Sequence, residues 1–141
     1  MTRLAAIVDT SVVVAGLLTA HDTSPVARIL DGMLGAAFPF VVSEALLAEY
    51  RTVLVRPSLR KLHGLTISEV EAMLTDLVQH AIVLVPVAAP PAPDSGYQLL
   101  WESLEARPDL VLVTGDKLLL KDWGMKGRVI SPQMFLQAND A

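Results

Sequence analysis

LAAIVDTSVVVAGLL, residues 4–18, decides the reading of this chain. Residues 4–8 form a short apolar run without polar alternation, the mark of a strand buried on both faces. The run ends abruptly at Asp9-Thr10-Ser11, an acid and two hydroxyls, and an apolar segment then continues through Leu18. Runs of the same kind recur as FVV (40–42), IVLV (82–85) and LVLV (110–113). Buried strands of this type belong to a parallel sheet covered by helices, so the segments between them should be helical.

They read that way. Ser24-Pro25 opens a helix to about Gly35, since serine caps well and proline is tolerated at the first helical position. A strand follows at 38–42, and Ser43 caps a helix through about Leu54. RPSLRKLHGL (56–65) reads as irregular, with Pro57 as a stop and Gly64 as a turn. Ser68 then caps another helix, whose Ile67, Val70, Met73, Leu74, Leu77 and Val78 recur at three-and-four spacing. A strand at 82–85 leads into a stiff Pro-rich loop from Pro86 to Pro93, and a helix spans about Ser95 to Ala106. Residues 110–113 are a strand, TGDK is its exit loop, Leu118–Asp122 is a short helix, Val129-Ile130 a last strand, and Ser131-Pro132 opens a terminal helix. Strand–helix alternation implies right-handed crossovers. The expected architecture is one three-layer α/β/α domain over residues 1–141.

Composition narrows the function classes. The 141 residues are 52% apolar, with mean hydropathy +0.49, yet no run approaches the roughly 18 apolar residues that span a bilayer. Arg3 before an apolar stretch ending near Ala20 imitates a secretory signal, but Asp9 interrupts what should be an unbroken core. The chain has no cysteine, which excludes disulfides, thiolate metal sites and Cys catalysis and makes the cytosol the default compartment. A net charge of −4 speaks against a nucleic-acid binder held by bulk charge. Basic residues nevertheless group at Arg51, Arg56, Arg60 and Lys61, and again at Lys117, Lys121, Lys126 and Arg128. Each group fits a solvated face or a set of phosphate contacts.

Candidate chemistry lies at the carboxyl ends of the strands, where open parallel sheets bind ligands. Asp9 ends the first strand, and Asp116 stands just beyond LVLV. If those strands are neighbours, the two acids share one crevice. Glu49 lies about two turns into the helix capped by Ser43, where solvated surface is an equal alternative. Asp94 starts the helix before LVLV and would serve equally as its cap. Glu44 reads as a helix-dipole residue and Asp109 as a turn residue. Clustered carboxylates repel unless a cation neutralises them, and oxygen donors select Mg²⁺ or Mn²⁺. Such a site polarises a phosphodiester, activates water and stabilises the leaving oxygen. His21, His63 and His80 show no ligand spacing and read as surface, while Trp101 and Trp123 read as core or interface.

Three segments, IVDTSVVVAGLL (7–18), VVSEALLAEYRTVLVRP (41–57) and LVLVTGDKLLL (110–120), together resemble PIN-domain proteins of the toxin type. The resemblance covers essentially the whole chain. It implies about five parallel strands, an acidic metal pocket for Mg²⁺ or Mn²⁺, and cleavage of RNA. It assigns Asp9, Glu49 and Asp116 as metal ligands, with Ser11 and Thr114 as polar neighbours. It further implies a cognate antitoxin and a homodimer, and no membrane association. At the remaining acid the chain departs from the pattern: that position aligns near Tyr97 in GYQLLW, and Asp94, three residues earlier, is the candidate substitute. The departure raises an alternative, a degenerate domain acting as an RNA- or protein-binding module. A phosphotransfer enzyme on a similar sheet ranks third, because Ser11 stands where such phosphatases carry a second acid.

Overall fold

The computed structural model describes residues 4–121 and 127–140. Its framework is a five-stranded sheet, every pairing parallel, in the order β3-β2-β1-β4-β5. The strands are β1 (Ala5–Val8), β2 (Phe40–Val42), β3 (Ile82–Val83), β4 (Leu110–Val113) and β5 (Val129–Ile130). Central β1 is buried along its whole length and runs in register with β4, from Ala5 opposite Leu110 to Val8 opposite Val113. Helices flank the sheet, as the alternation requires. They are α1 (Thr10–Leu18), α2 (Pro25–Leu34), α3 (Glu44–Leu54), α4 (Pro57–His63), α5 (Ile67–His80), α6 (Gln98–Ala106), α7 (Lys117–Leu120) and α8 (Pro132–Asp140).

Packing explains much of the composition. Trp101, Tyr50, Phe40 and Phe135 are fully buried among branched aliphatics, so the high apolar content fills one continuous core. Gly16 lets α1 and α2 approach closely, since a Cβ there would sit 2.6 Å from the Val26 carbonyl oxygen. Caps fix the ends. The Ser24 hydroxyl accepts from Ala27 N–H at 3.4 Å, and Ser43 Oγ from Leu46 N–H at 3.1 Å.

Several boundaries depart from the sequence reading, each for a physical reason. Residues 57–63 are helical rather than irregular, because Pro57 occupies the first turn, where its missing N–H costs nothing. Gly64, at φ +73°, ends that helix in the left-handed conformation, so both supposed breakers are terminators. Helix α5 is capped by Thr66, not Ser68. Thr66 Oγ1 accepts from Glu69 N–H at 3.1 Å and Glu69 Oε1 from Thr66 N–H at 3.0 Å, a reciprocal capping box. Ile67 consequently falls in the first turn and is 50% exposed.

IVLV is not a strand buried on both faces. Only Ile82–Val83 pair, at the sheet edge, and Val83 is 65% exposed. Strand β2 begins at Phe40 rather than residue 38, and a 3-10 turn over Ser95–Tyr97 precedes α6. Trp101 is core as expected, while Trp123, Lys126 and the Asp122 end of the last short helix lie outside the described residues.

Candidate metal centre

The sheet order makes β1 and β4 neighbours whose chain connections leave in opposite directions, and this opens a crevice at their carboxyl ends. Asp9 follows β1, and Thr114-Gly115-Asp116 follow β4. Asp9 N–H donates to the Val113 carbonyl at 3.0 Å, which ties the two strand exits together.

Asp9 is only 3% exposed. It stands at the N-cap position of α1, yet its side chain caps nothing. Its Oδ2 instead accepts from Thr114 Oγ1 at 2.7 Å and from Ser11 Oγ at 3.1 Å. Thr114 is fully buried, and its Oγ1 also accepts from Asp116 N–H at 3.1 Å, so one hydroxyl links both acids. Among the described residues no hydrogen bond reaches Asp9 Oδ1, and no lysine or arginine pairs with Asp9.

Asp116 does two things. Oδ1 caps α7, accepting from Leu118 N–H at 2.8 Å and Leu119 N–H at 3.4 Å. Oδ2 accepts from the Tyr97 hydroxyl at 2.7 Å. That hydroxyl, then the two backbone N–H groups, hold the Asp116 carboxyl below the usual carboxylate range. In return the bond to Asp116 pushes the Tyr97 hydroxyl far up, with burial and the charges of Asp9, Asp116 and Asp94 adding to it. Tyr97 is therefore a neutral donor here.

Glu49 reaches the same edge by a different route. Thr10 Oγ1 donates to Glu49 Oε2, and the buried Tyr50 hydroxyl donates to the Val8 carbonyl at 2.5 Å. Tyr50 thus pins α3 to the exit of β1 and fixes the height of Glu49 one residue before it. Burial, then the charges of Asp9 and Glu49, push the Tyr50 hydroxyl well above its ordinary value. Asp94 is exposed, and its Oδ1 accepts from Gly96 N–H at 2.8 Å, the capping role weighed for it from sequence. No hydrogen bond joins it to the other acids among the described residues.

Sequence reading missed Thr10, Tyr50 and the Tyr97–Asp116 bond. Thr10 sits inside the DTS motif and Tyr50 beside Glu49, but nothing in the residue pattern shows which way either hydroxyl turns. Other readings change in detail. Arg51 is paired with Glu71 at 2.6 Å, and Arg128 donates to the carbonyls of Leu104, Arg107 and Leu110, so neither is a free phosphate contact. His63 does more than cover surface: its ring bridges Leu54 O and Leu65 N–H at 2.9 and 3.0 Å.

Beside Asp116 an open cleft of about 290 Å³ is lined by Ser11, Val12, Ala15, Val26 and Tyr97. Among the described residues, no three His, Cys, Asp or Glu side chains converge as a closed metal cage. The donors that do share the crevice are hard oxygens, the Asp9 and Asp116 carboxylates with the hydroxyls of Ser11 and Thr114. Mg²⁺ is commonly held by one or two carboxylates and completes its shell with waters and substrate phosphate. The donor set fits an open site of that kind.

A parallel α/β domain with paired acids at its switch point defines a class of acid-site hydrolase folds. Within that class the chain belongs to the PIN-domain family, whose model matches residues 5–118. Membership gives it a general nuclease or RNA-related role, in a family whose nucleases typically use divalent metals. No curated protein matches the chain. No helix among the described residues is long and apolar enough to cross a membrane.

Proposed function

We propose that the protein is a divalent-metal-dependent endoribonuclease working at the Asp9–Asp116 crevice. One observation carries this reading: a nearly fully buried carboxylate, Asp9, has hydroxyl partners but no cation among the described residues. Buried charges are paired or coordinate metals, so Asp9 calls for a positive ion.

Asp9 and Asp116 would hold the ion, Mg²⁺ or Mn²⁺, with Glu49 as the third acid and Asp94 or a water in the remaining place. When bound, the ion supplies Lewis-acid activation of water and of the scissile phosphate. The chain's own residues set the stage for that. Thr114 and Ser11 donate to one oxygen of Asp9, which favours its ionised form and turns the other oxygen free. Tyr97 and the start of α7 fix the Asp116 carboxylate. Thr10 holds Glu49, and Tyr50 keeps α3 at the height that permits it. The motif set supports a finer assignment, the toxin half of a cytoplasmic toxin–antitoxin pair, acting as a homodimer.

The test is cleavage of a mixed RNA pool by purified protein with Mn²⁺ or with EDTA, beside Asp116→Asn. Metal-dependent cleavage lost in the variant is the expected result. Cleavage that persists in EDTA, or in Asp116→Asn, overturns the assignment. A second reading, a non-catalytic module, is favoured by the Tyr97 hydroxyl seated on Asp116 Oδ2. A folded protein that binds RNA but neither cleaves it nor takes up Mn²⁺ would establish that reading instead.

A further inference from the structure

Away from the crevice, a hollow of about 380 Å³ lies where α4 meets the start of α5. Its lining is Pro57, Arg60, Lys61, Gly64, Leu65 and Thr66, which includes two cations and no carboxylate. Arg60 carries the telling feature: its Nε is buried and has no hydrogen-bond partner. Among the described residues nothing pairs with its guanidinium, whereas Arg51, Arg107 and Arg128 are all engaged by acids or carbonyls. A buried charged donor left open is rare in folded proteins and signals an unplaced acceptor.

The surroundings favour an anion. Helix α5 is 14 residues long, and its Thr66 cap lines the hollow, so the positive end of the helix dipole is close by. Glu69, the one acid at that helix start, is held on Thr66 N–H and lines a neighbouring hollow with Leu34 and Met73 instead. The site also has a sensible position. Helix α4 packs on α1 and α3, the helices that leave the Asp9 crevice and carry Glu49. A chain of net charge −4 cannot hold a polyanion by bulk attraction, so a strand must be gripped by local cations.

We infer that the Arg60–Lys61 hollow is an oxyanion site that takes a backbone phosphate of the RNA strand, away from the scissile bond. Arg60 offers the planar fork suited to a phosphate, and Lys61 adds a point charge. The inference rests on the ribonuclease reading for its ligand, but not for the existence of the anion site.

Two arms test it, both in EDTA so that no strand is cut. In the first, inorganic phosphate is titrated while NMR follows the Arg60 Nε–H resonance; a saturable shift, weakened in Lys61→Ala, is expected. In the second, binding of single-stranded RNA is measured against salt for wild type and Arg60→Ala/Lys61→Ala. The slope of log affinity should fall by about 1.4 for two lost phosphate contacts. Equivalently, the affinity ratio between about 50 and 200 mM salt should shrink about sevenfold. Lys61→Ala alone, an exposed position, should remove about half of the slope change and guards against a misfolded Arg60 variant. Absence of a saturable phosphate shift overturns the site. A shift with an unchanged RNA slope overturns the RNA assignment and leaves a site for free phosphate. If both arms succeed while the wild type cuts no RNA with Mn²⁺, this inference stands and the nuclease reading falls.

Discussion

Replacing Thr114 by valine tests whether the link between the two acids is chemical or merely steric. Valine matches threonine in volume, so Thr114→Val leaves the packing of this fully buried position almost unchanged. What it removes is the 2.7 Å hydrogen bond to Asp9 Oδ2 and the acceptor for Asp116 N–H at 3.1 Å. A hydrogen bond to a charged group contributes about 1.5–3 kcal/mol, and a stranded part-buried N–H costs roughly 1 kcal/mol more. The expected loss is about 2–4 kcal/mol, or roughly 6–16 °C in Tm for a domain of this size. Thr114→Ser keeps the hydroxyl and deletes one methyl, which should cost about 1 kcal/mol.

The order of stability should therefore be wild type, then Thr114→Ser, then Thr114→Val, in urea unfolding at neutral pH with EDTA. Packing alone gives the reverse order for the two variants. In an Asp9→Asn background the cost of Thr114→Val should shrink by at least about 1 kcal/mol, since the charged acceptor is gone. A Thr114→Val protein as stable as wild type, or more stable than Thr114→Ser, refutes the reasoning.

Three further outcomes follow from the same structure. Trp101→Ala, at a position 1% exposed, should lose about 3–5 kcal/mol in denaturant unfolding, against a null result if the ring does not fill the core. Thr66→Ala breaks the capping box and should cost about 1 kcal/mol, whereas Ser68→Ala should be nearly silent; equal costs would return the cap to Ser68. Asp109 is held below the usual carboxylate range chiefly by its hydrogen bond from Arg107, so its contribution is present above about pH 4 and disappears as pH falls through the lowered value. Stability curves of wild type and Asp109→Asn should then differ by about 0.2–1 kcal/mol at pH 7 and converge in acid; a constant gap would assign the effect to something other than the ion pair.

How much of this was legible in advance depends on the range of the interaction. Strands β1, β4 and β5 were readable because each is a short apolar run whose burial on both faces leaves no competing pattern. The adjacency of Asp9 and Asp116 followed from strand exits alone. Helix α4 was lost because Pro57 and Gly64 are helix terminators as readily as helix breakers, and only the distance between them, one short helix, separates the two readings. The cap of α5 went to Ser68 instead of Thr66 because both positions carry a hydroxyl, and Glu69 as the reciprocal partner decides between them. IVLV has the composition of a buried strand, but its place at the sheet edge is a topological fact that no local pattern carries.

The site shows the same limit. Asp94 as a cap, Thr10 on Glu49, and the Tyr97 hydroxyl on Asp116 are side-chain orientations, set by contacts many residues away in sequence. The sequence marked Tyr97 as a departure, and only the structure gives it a partner.

The most direct test of the central claim is a calorimetric titration of metal-free protein with Mn²⁺, for wild type and for Asp9→Asn shown to be folded by circular dichroism. Saturable binding by wild type that is lost in Asp9→Asn is the expected result, since the variant keeps the shape of the crevice and removes its buried charge. Saturable binding unchanged in Asp9→Asn, or no binding by wild type, would contradict the assignment of this crevice as the metal centre.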